Sequence, residues 1–152
     1  MKLRSFRRFR GDRTATTAVE FAILALPLLM LVFGILEFGR ALWVREALQM
    51  TAVQAARCMG ILSTSCSSSG SYSVDNTRSY IENLAAQWGV TLTTSNLTTV
   101  TRNSSNSWCQ VSGTGLSEVT ISYTFQSPLG SLISALASGL SLSGHACYPN
   151  DS

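Results

Sequence analysis

The chain has 152 residues, 45% hydrophobic and only 12% charged, a balance that leans toward membrane-associated proteins and away from a typical cytosolic enzyme. Its net charge of +3 is unevenly placed: Lys2, Arg4, Arg7, Arg8, Arg10 and Arg13 crowd the first thirteen residues against Asp12 alone. From residue 16 onward five arginines stand against seven acidic residues, so no basic surface remains to suggest a nucleic-acid partner.

The basic leader, residues 1–15, precedes an apolar run and reads as a topology signal that keeps the amino terminus in the cytoplasm. The uncharged run from Phe21 to Leu36 measures about 24 Å as a helix, a little short of a hydrocarbon core of roughly 30 Å. It spans if Ala18, Val19 and Phe38 contribute and the flanks snorkel or the bilayer thins. A secretory signal peptide has the same order of charge and apolar residues, but Gly39-Arg40-Ala41 is a poor cleavage site and the helical pattern continues beyond it. Ala41, Val44, Leu48, Ala52, Ala55 and Met59 recur every three or four residues, with Arg40, Arg45, Glu46, Gln49, Gln54 and Arg57 between them. This spacing predicts one helix over about 16–58, apolar all round at first and amphipathic afterwards. Pro27 within it leaves the Ile23 carbonyl without a donor and should bend it, and Gly60 is expected to stop it.

Residues 60–74 read as a Ser-rich linker, and residues 75–152 as an α+β domain outside the cytoplasm. A second helix fits Asp75 to Trp88, with Asp75 as N-cap, Tyr80, Ile81, Leu84 and Trp88 on one face, and Gly89 as stop. In "SEVTISYTFQ", Val119, Ile121, Tyr123 and Phe125 alternate with Glu118, Thr120, Ser122 and Thr124, predicting a strand. Its expected partner, "LSLSGHACY", carries Leu140, Leu142, Ala146 and Tyr148 on one face. Stretches near 90–101 and 108–111 add two further strands, with turns at "RNSSNS" and "SGTG". Leu129, Leu132, Ile133 and Leu136 have helical spacing and read as a lid over the core. The expected architecture is a long helix, a short helix and a small antiparallel sheet whose one face the helices cover.

Four cysteines in a chain directed across a membrane suggest disulfides for a domain with a modest core. Three pairings exist on paper; the favoured one joins Cys58 to Cys66 and Cys109 to Cys147, with buried free thiols as the alternative. A metal site is not expected, since there is no Cys-x-x-Cys spacing and His145 is the single histidine. His145 and Cys147 share a strand face, yet a nucleophilic pair needs a third, orienting group. No phosphate-binding glycine loop and no recognisable catalytic carboxylates occur. No catalysis and no cofactor are expected.

Glu20 stands on the threshold of the apolar run, where a charge is costly and tends to mark function. Its surroundings, a basic leader, Ala15-Thr16-Thr17-Ala18 and then Val-Glu-Phe, resemble a class III prepilin signal. More specifically, "AVEFAILALPLLMLVFGILEFGRALWVREALQMTAVQAAR" resembles the opening of the TadE-like family, minor pseudopilins of the tight adherence (Flp) type IV pilus system, and "VTISYTFQSPLG...GLSLSGHACYP" resembles its usual ending. The resemblance implies a pilin-like α+β chain cut by prepilin peptidase between Ala15 and Thr16, leaving Glu20 fifth in the mature chain. Where the family usually has glycine before the cut, this chain has Ala15. It also implies roles in assembly or membrane residence for Glu20, Phe21, Pro27, Glu37 and Arg40. The implied partners are the peptidase, the major Flp pilin, a related minor pseudopilin, the inner-membrane assembly platform and the lipid bilayer. The implied place is the bacterial inner membrane, single-pass, amino terminus cytoplasmic and outer domain periplasmic, with incorporation into a surface pilus. On charge placement alone a carboxylate snorkelling into the interface is the lesser reading of Glu20, whereas an ordinary membrane-exit pair is the favoured reading of Glu37 with Arg40. The alternative function is an unprocessed single-pass envelope protein whose outer domain binds a protein partner.

Overall fold

The computed structural model describes the backbone of residues 13–104, 109, 115–127 and 139–150 and the side chains of 17–103, 109, 115–127 and 139–150. The basic leader up to residue 12, the predicted lid around Leu132 and most of the predicted 108–111 strand lie outside these residues. The chain is α+β: helix α1 Arg13–Gly60, a two-strand hairpin β1 Ser67–Ser68 and β2 Ser71–Tyr72, helix α2 Val74–Gln87, a 3-10 turn Thr94–Asn96, and strands β3 Leu97–Ser104, β4 Leu116–Phe125 and β5 Leu140–Pro149. Two compact units divide it at residue 40. The first holds the apolar half of α1, and the second holds the rest of that helix and every other element.

In the second unit the sheet is antiparallel in the order β3-β4-β5, with Phe125 opposite Leu140 at one end of the β4–β5 ladder and Leu116 opposite Pro149 at the other. The six apolar positions spaced along the second half of α1, from Ala41 to Met59, are all buried. They share one core with Ile81 and Ala85 of α2, Val119, Ile121 and Phe125 of β4, and Leu142 and Ala146 of β5. Four of the core residues α1 contributes are Ala47, Ala52, Ala55 and Ala56. Such short side chains let a helix backbone lie close to what it covers.

How α1 ends differs from the expectation. Gly60 is still helical, and the left-handed turn is made by Leu62 at φ 48°. Ser63 N–H donates to the Cys58 carbonyl and Leu62 N–H to that of Met59, which closes the helix by a Schellman motif. Gly60 is needed for a different reason: a Cβ there would collide with the Tyr148 ring and stand 2.8 Å from the Pro149 carbonyl. Helix α2 starts one residue earlier than predicted, with Ser73 rather than Asp75 as N-cap; the Ser73 hydroxyl accepts from Asn76 N–H at 3.4 Å. Its end is as expected in kind, with Gly89 at φ 75° and Val90 N–H donating to the Ala85 carbonyl. The buried face of α2 is Thr77, Ile81, Leu84 and Ala85. Tyr80 is only half-buried and Trp88 is exposed, so the predicted face was rotated.

The Ser-rich stretch is not a plain linker. Ser69 and Gly70 both take positive φ, the geometry of a two-residue turn that matches strand twist, and Asn76 of α2 donates to the Ser67 carbonyl at 2.8 Å. Tyr72 donates to the Val100 carbonyl, and burial holds its phenol above the ordinary range against the opposing pull of Thr77 and Arg78. Strand β3 also extends through Ser104, taking in the start of the turn predicted at "RNSSNS".

Edge strand β5 meets α1 at Gly144, where a Cβ would fall on the Leu48 carbonyl and lie 2.9 Å from Gln49 N. Beside it the Gln49 amide bonds the backbone of His145, donating to its carbonyl at 2.9 Å and accepting from its N–H at 3.2 Å. An edge that would otherwise offer unpaired donors and acceptors is thereby closed. Gly144→Ala should lower the stability of the detergent-solubilised chain by about 2 kcal/mol or more, because helix backbone cannot yield as a side chain can. Gly39→Ala, whose Cβ would meet nothing within 4 Å, should leave the thermal midpoint unchanged or raise it.

Candidate membrane and assembly segment

The first unit is defined by what it does not bury. From Val19 to Phe38 the large apolar side chains stay exposed, Phe21 at 74% and Leu24 at 70%. None of the apolar window of this helix is buried inside the chain, and it is long and apolar enough to cross a membrane. A helix apolar on every side needs an apolar medium all around it, which rules against a role as the core helix of this domain. The helix runs through Pro27 without interruption.

Glu20 and Phe21 are both exposed on this helix. Ala15 and Thr16 lie in its first turn, since α1 begins at Arg13. The first four N–H groups of a helix have no intrahelical acceptor, so the bond between them sits where the helix opens most easily. Glu37 is half-buried and Arg40 exposed. Arg40 places its guanidinium 4.9 Å from the centroid of the Phe125 ring, a cation–π contact at the end of the sheet between residues that no sequence spacing links.

The second unit holds the cysteines as two disulfides, Cys58–Cys66 and Cys109–Cys147. The first ties the end of α1 to the start of the β1–β2 hairpin. The second fastens Cys109 to β5, where Cys147 stands opposite Glu118 of β4. Cys109, His145 and Cys147 present their ligand atoms within 4.8 Å of one another, but the two sulfurs are bonded to each other and neither is a thiolate ligand. The same bond withholds a thiolate nucleophile from His145.

His145 Nε2 lies 3.3 Å from Glu118 Oε1. Glu118 was expected on the solvent face of β4 and is instead buried, as is Leu116 on the same face, beside the Cys109–Cys147 link. A buried carboxylate requires hydrogen-bonding partners, and the imidazole is one. Two other sequence expectations also change, since Leu140 is exposed and Tyr123 is only half-buried; Ser117 is buried, its hydroxyl donating to Asn150 Oδ1 at 2.6 Å. Strict alternation could not reveal that both faces of the sheet are covered near Leu116.

Loop-closure entropy sets the expected cost of opening each disulfide. With a sequence separation of 38, removing Cys109–Cys147 by paired Cys→Ser substitution should cost about 4 kcal/mol. Removing Cys58–Cys66, with a separation of 8, should cost about 2.5 kcal/mol. Guanidinium unfolding of the oxidised variants checks the order and size of the two losses.

None of the curated proteins and none of the solved structures searched matches the chain. The family described as TadE-like protein matches residues 15–57, a range that lies wholly within α1 and stops short of the hairpin, α2 and the sheet. The similarity to the TadE-like family is thus confined to the stretch of helix that carries Glu20, Pro27, Glu37 and Arg40.

Proposed function

We propose that the chain is a minor pseudopilin of Tad pilus assembly, held in the bacterial inner membrane by the apolar half of α1 and presenting its disulfide-bonded domain in the periplasm. The observation that carries this reading is an apolar helix unburied by its own chain, bearing Glu20 five residues after Ala15 in a segment that matches the TadE-like family. The basic leader supports an amino terminus in the cytoplasm. Prepilin peptidase cuts between Ala15 and Thr16, in the first helical turn, and creates an α-amine at Thr16.

Glu20 lies four residues from that amine, about 6 Å along a helix axis. A carboxylate and an ammonium at this spacing on one helix, or on adjoining helices, offset one another where neither is well solvated. The pair fixes the depth and register at which the helix meets the major Flp pilin, a related minor pseudopilin and the membrane platform. Catalysis has no part in this role, and no cofactor is needed. A second reading has one observation in its favour, the alanine before the cut in place of the family's usual glycine. It is an unprocessed single-pass envelope protein whose outer domain binds a protein partner.

Intact mass and amino-terminal sequencing of protein from membranes with and without active prepilin peptidase separate the two. The pseudopilin reading expects a chain beginning at Thr16 only where the peptidase is active. A leader retained in both strains favours the permanent anchor, and a chain beginning near Leu42 would mean the helix had been removed as a signal peptide. Glu20→Ala should still be inserted and cut, yet co-purify with the major pilin and the related pseudopilin about tenfold less well, the factor corresponding to about 1.4 kcal/mol. Undiminished co-purification would remove Glu20 from the assembly contact.

A further inference from the structure

The end of the outer unit at which the chain enters from the apolar run carries a group of exposed side chains that the pseudopilin reading leaves unused. Trp43 is 57% exposed, and Trp88, at the C-cap of α2, is 37% exposed. Forty-five residues apart in sequence, their rings meet edge to face with centroids 5.7 Å apart. Leu42 is exposed beside them, and Arg40, one turn earlier on α1, lies over Phe125, whose ladder partner Leu140 is exposed as well.

Trp43 Nε1–H also donates to the Trp88 carbonyl at 3.2 Å. The last carbonyls of a helix have no intrahelical donor, and such a group cannot enter an apolar medium without a large cost. With this carbonyl satisfied by an indole N–H, the end of α2 can approach hydrocarbon while both indole rings remain outward. Indole rings with an apolar body and a polar tip favour the headgroup level of a bilayer.

We propose that Trp43 and Trp88 form a lipid-interface anchor that seats this end of the outer domain on the periplasmic headgroups of the bilayer. The proposal rests on the membrane-spanning reading of α1. Trp43 follows Phe38 by about 7 Å of helix rise, so it would approach the interface on any spanning helix. Trp88 is the discriminating residue, because only the packing of α2 against α1 brings it there.

The test uses the full chain reconstituted in phosphatidylglycerol–phosphatidylethanolamine vesicles, floated on a density gradient, with Trp emission quenched by lipids spin-labelled either near the headgroup or deep in the acyl chain. In the Trp43→Phe/Trp108→Phe chain, Trp88 should lose most of its emission to the shallow label, little to the deep one, and little to aqueous iodide. Should that double variant fail to form both disulfides, the Trp108→Phe chain is read instead, and both of its remaining rings must be quenched by the shallow label. Floating protein whose Trp88 is quenched by iodide and by neither lipid overturns the anchor and leaves the spanning helix intact. Floating protein whose Trp88 is shielded from iodide and lipid alike assigns the patch to a protein contact and also overturns it. Protein that does not float defeats the membrane reading itself, and the anchor with it.

Discussion

The close approach of the second half of α1 to the sheet is the constraint on which the second unit depends. It needs short side chains on the helix, supplied by Ala47, Ala52, Ala55 and Ala56, and it needs bare backbone where strand and helix meet, supplied by Gly144 against Leu48 and by Gly60 against Tyr148. Leu48 and Met59 then fill the space between the alanines with no exposure at all. A helix at this distance can also reach the edge of β5 with a side chain, and Gln49 does so, bonding both the N–H and the carbonyl of His145. Arg102 works from the opposite edge strand, its Nε donating to the Met59 carbonyl at 3.2 Å near the helix end. The polar capping of β5 at His145 thus accompanies the apolar packing beside it. A small sheet with an open edge is a template for unwanted strand addition, and here that edge is occupied by the chain's own helix.

The same helix lives under two rules. Up to residue 39 its side chains are apolar on every face and none of the apolar window is buried by the chain; from Ala41 onward burial follows one stripe and the remaining positions are polar or exposed. Nothing in the backbone marks the change, since α1 is continuous from Arg13 to Gly60. The change lies entirely in side-chain pattern. The first part cannot be stabilised by the domain's core and requires an external apolar medium, while the second part supplies a large share of that core. Disulfides matter in such a design because few elements are left to do the packing: one bond holds the hairpin to the end of α1, and the other holds Cys109 to β5.

What could be read from the sequence was whatever had a strong period. All six apolar positions assigned to the amphipathic half of α1 are buried, and β4 and β5 form within a residue of their predicted bounds. What escaped depended on partners distant in sequence. Gly60 read as a helix stop because glycine often ends helices, whereas its place is set by Tyr148 and Pro149, nearly ninety positions later. Glu118 read as a solvent-facing residue because it alternates with Val119, yet its face is covered near the Cys109–Cys147 bond. The hairpin at 67–72 hid in a serine-rich stretch whose composition says loop, although Ser69-Gly70 carries a turn signal once its neighbours are seen to pair. For the candidate site, Glu20 was visible because a carboxylate is out of place beside an apolar run. The Trp43–Trp88 pair was not, because no local pattern joins residues on two helices.

Carboxylates in this chain follow a common electrostatic logic. Glu118 is tolerated inside the domain because His145 stands at hydrogen-bond distance; an unpaired buried carboxylate would instead favour unfolding or protonation. Under the proposed function Glu20 faces the same requirement in a medium still less polar. Before processing, the chain has no amine at Thr16, and Glu20 is best served at the aqueous boundary, where water solvates it. After the cut a cation exists one helical turn away, and the two groups can enter apolar surroundings together at far lower cost than either alone. Cleavage then does more than remove a charged leader. On this proposal it would convert a residue that anchors the helix at the membrane surface into half of a pair that can move with the helix into an assembly, so that readiness to assemble would be written into the charge state of the new amino terminus.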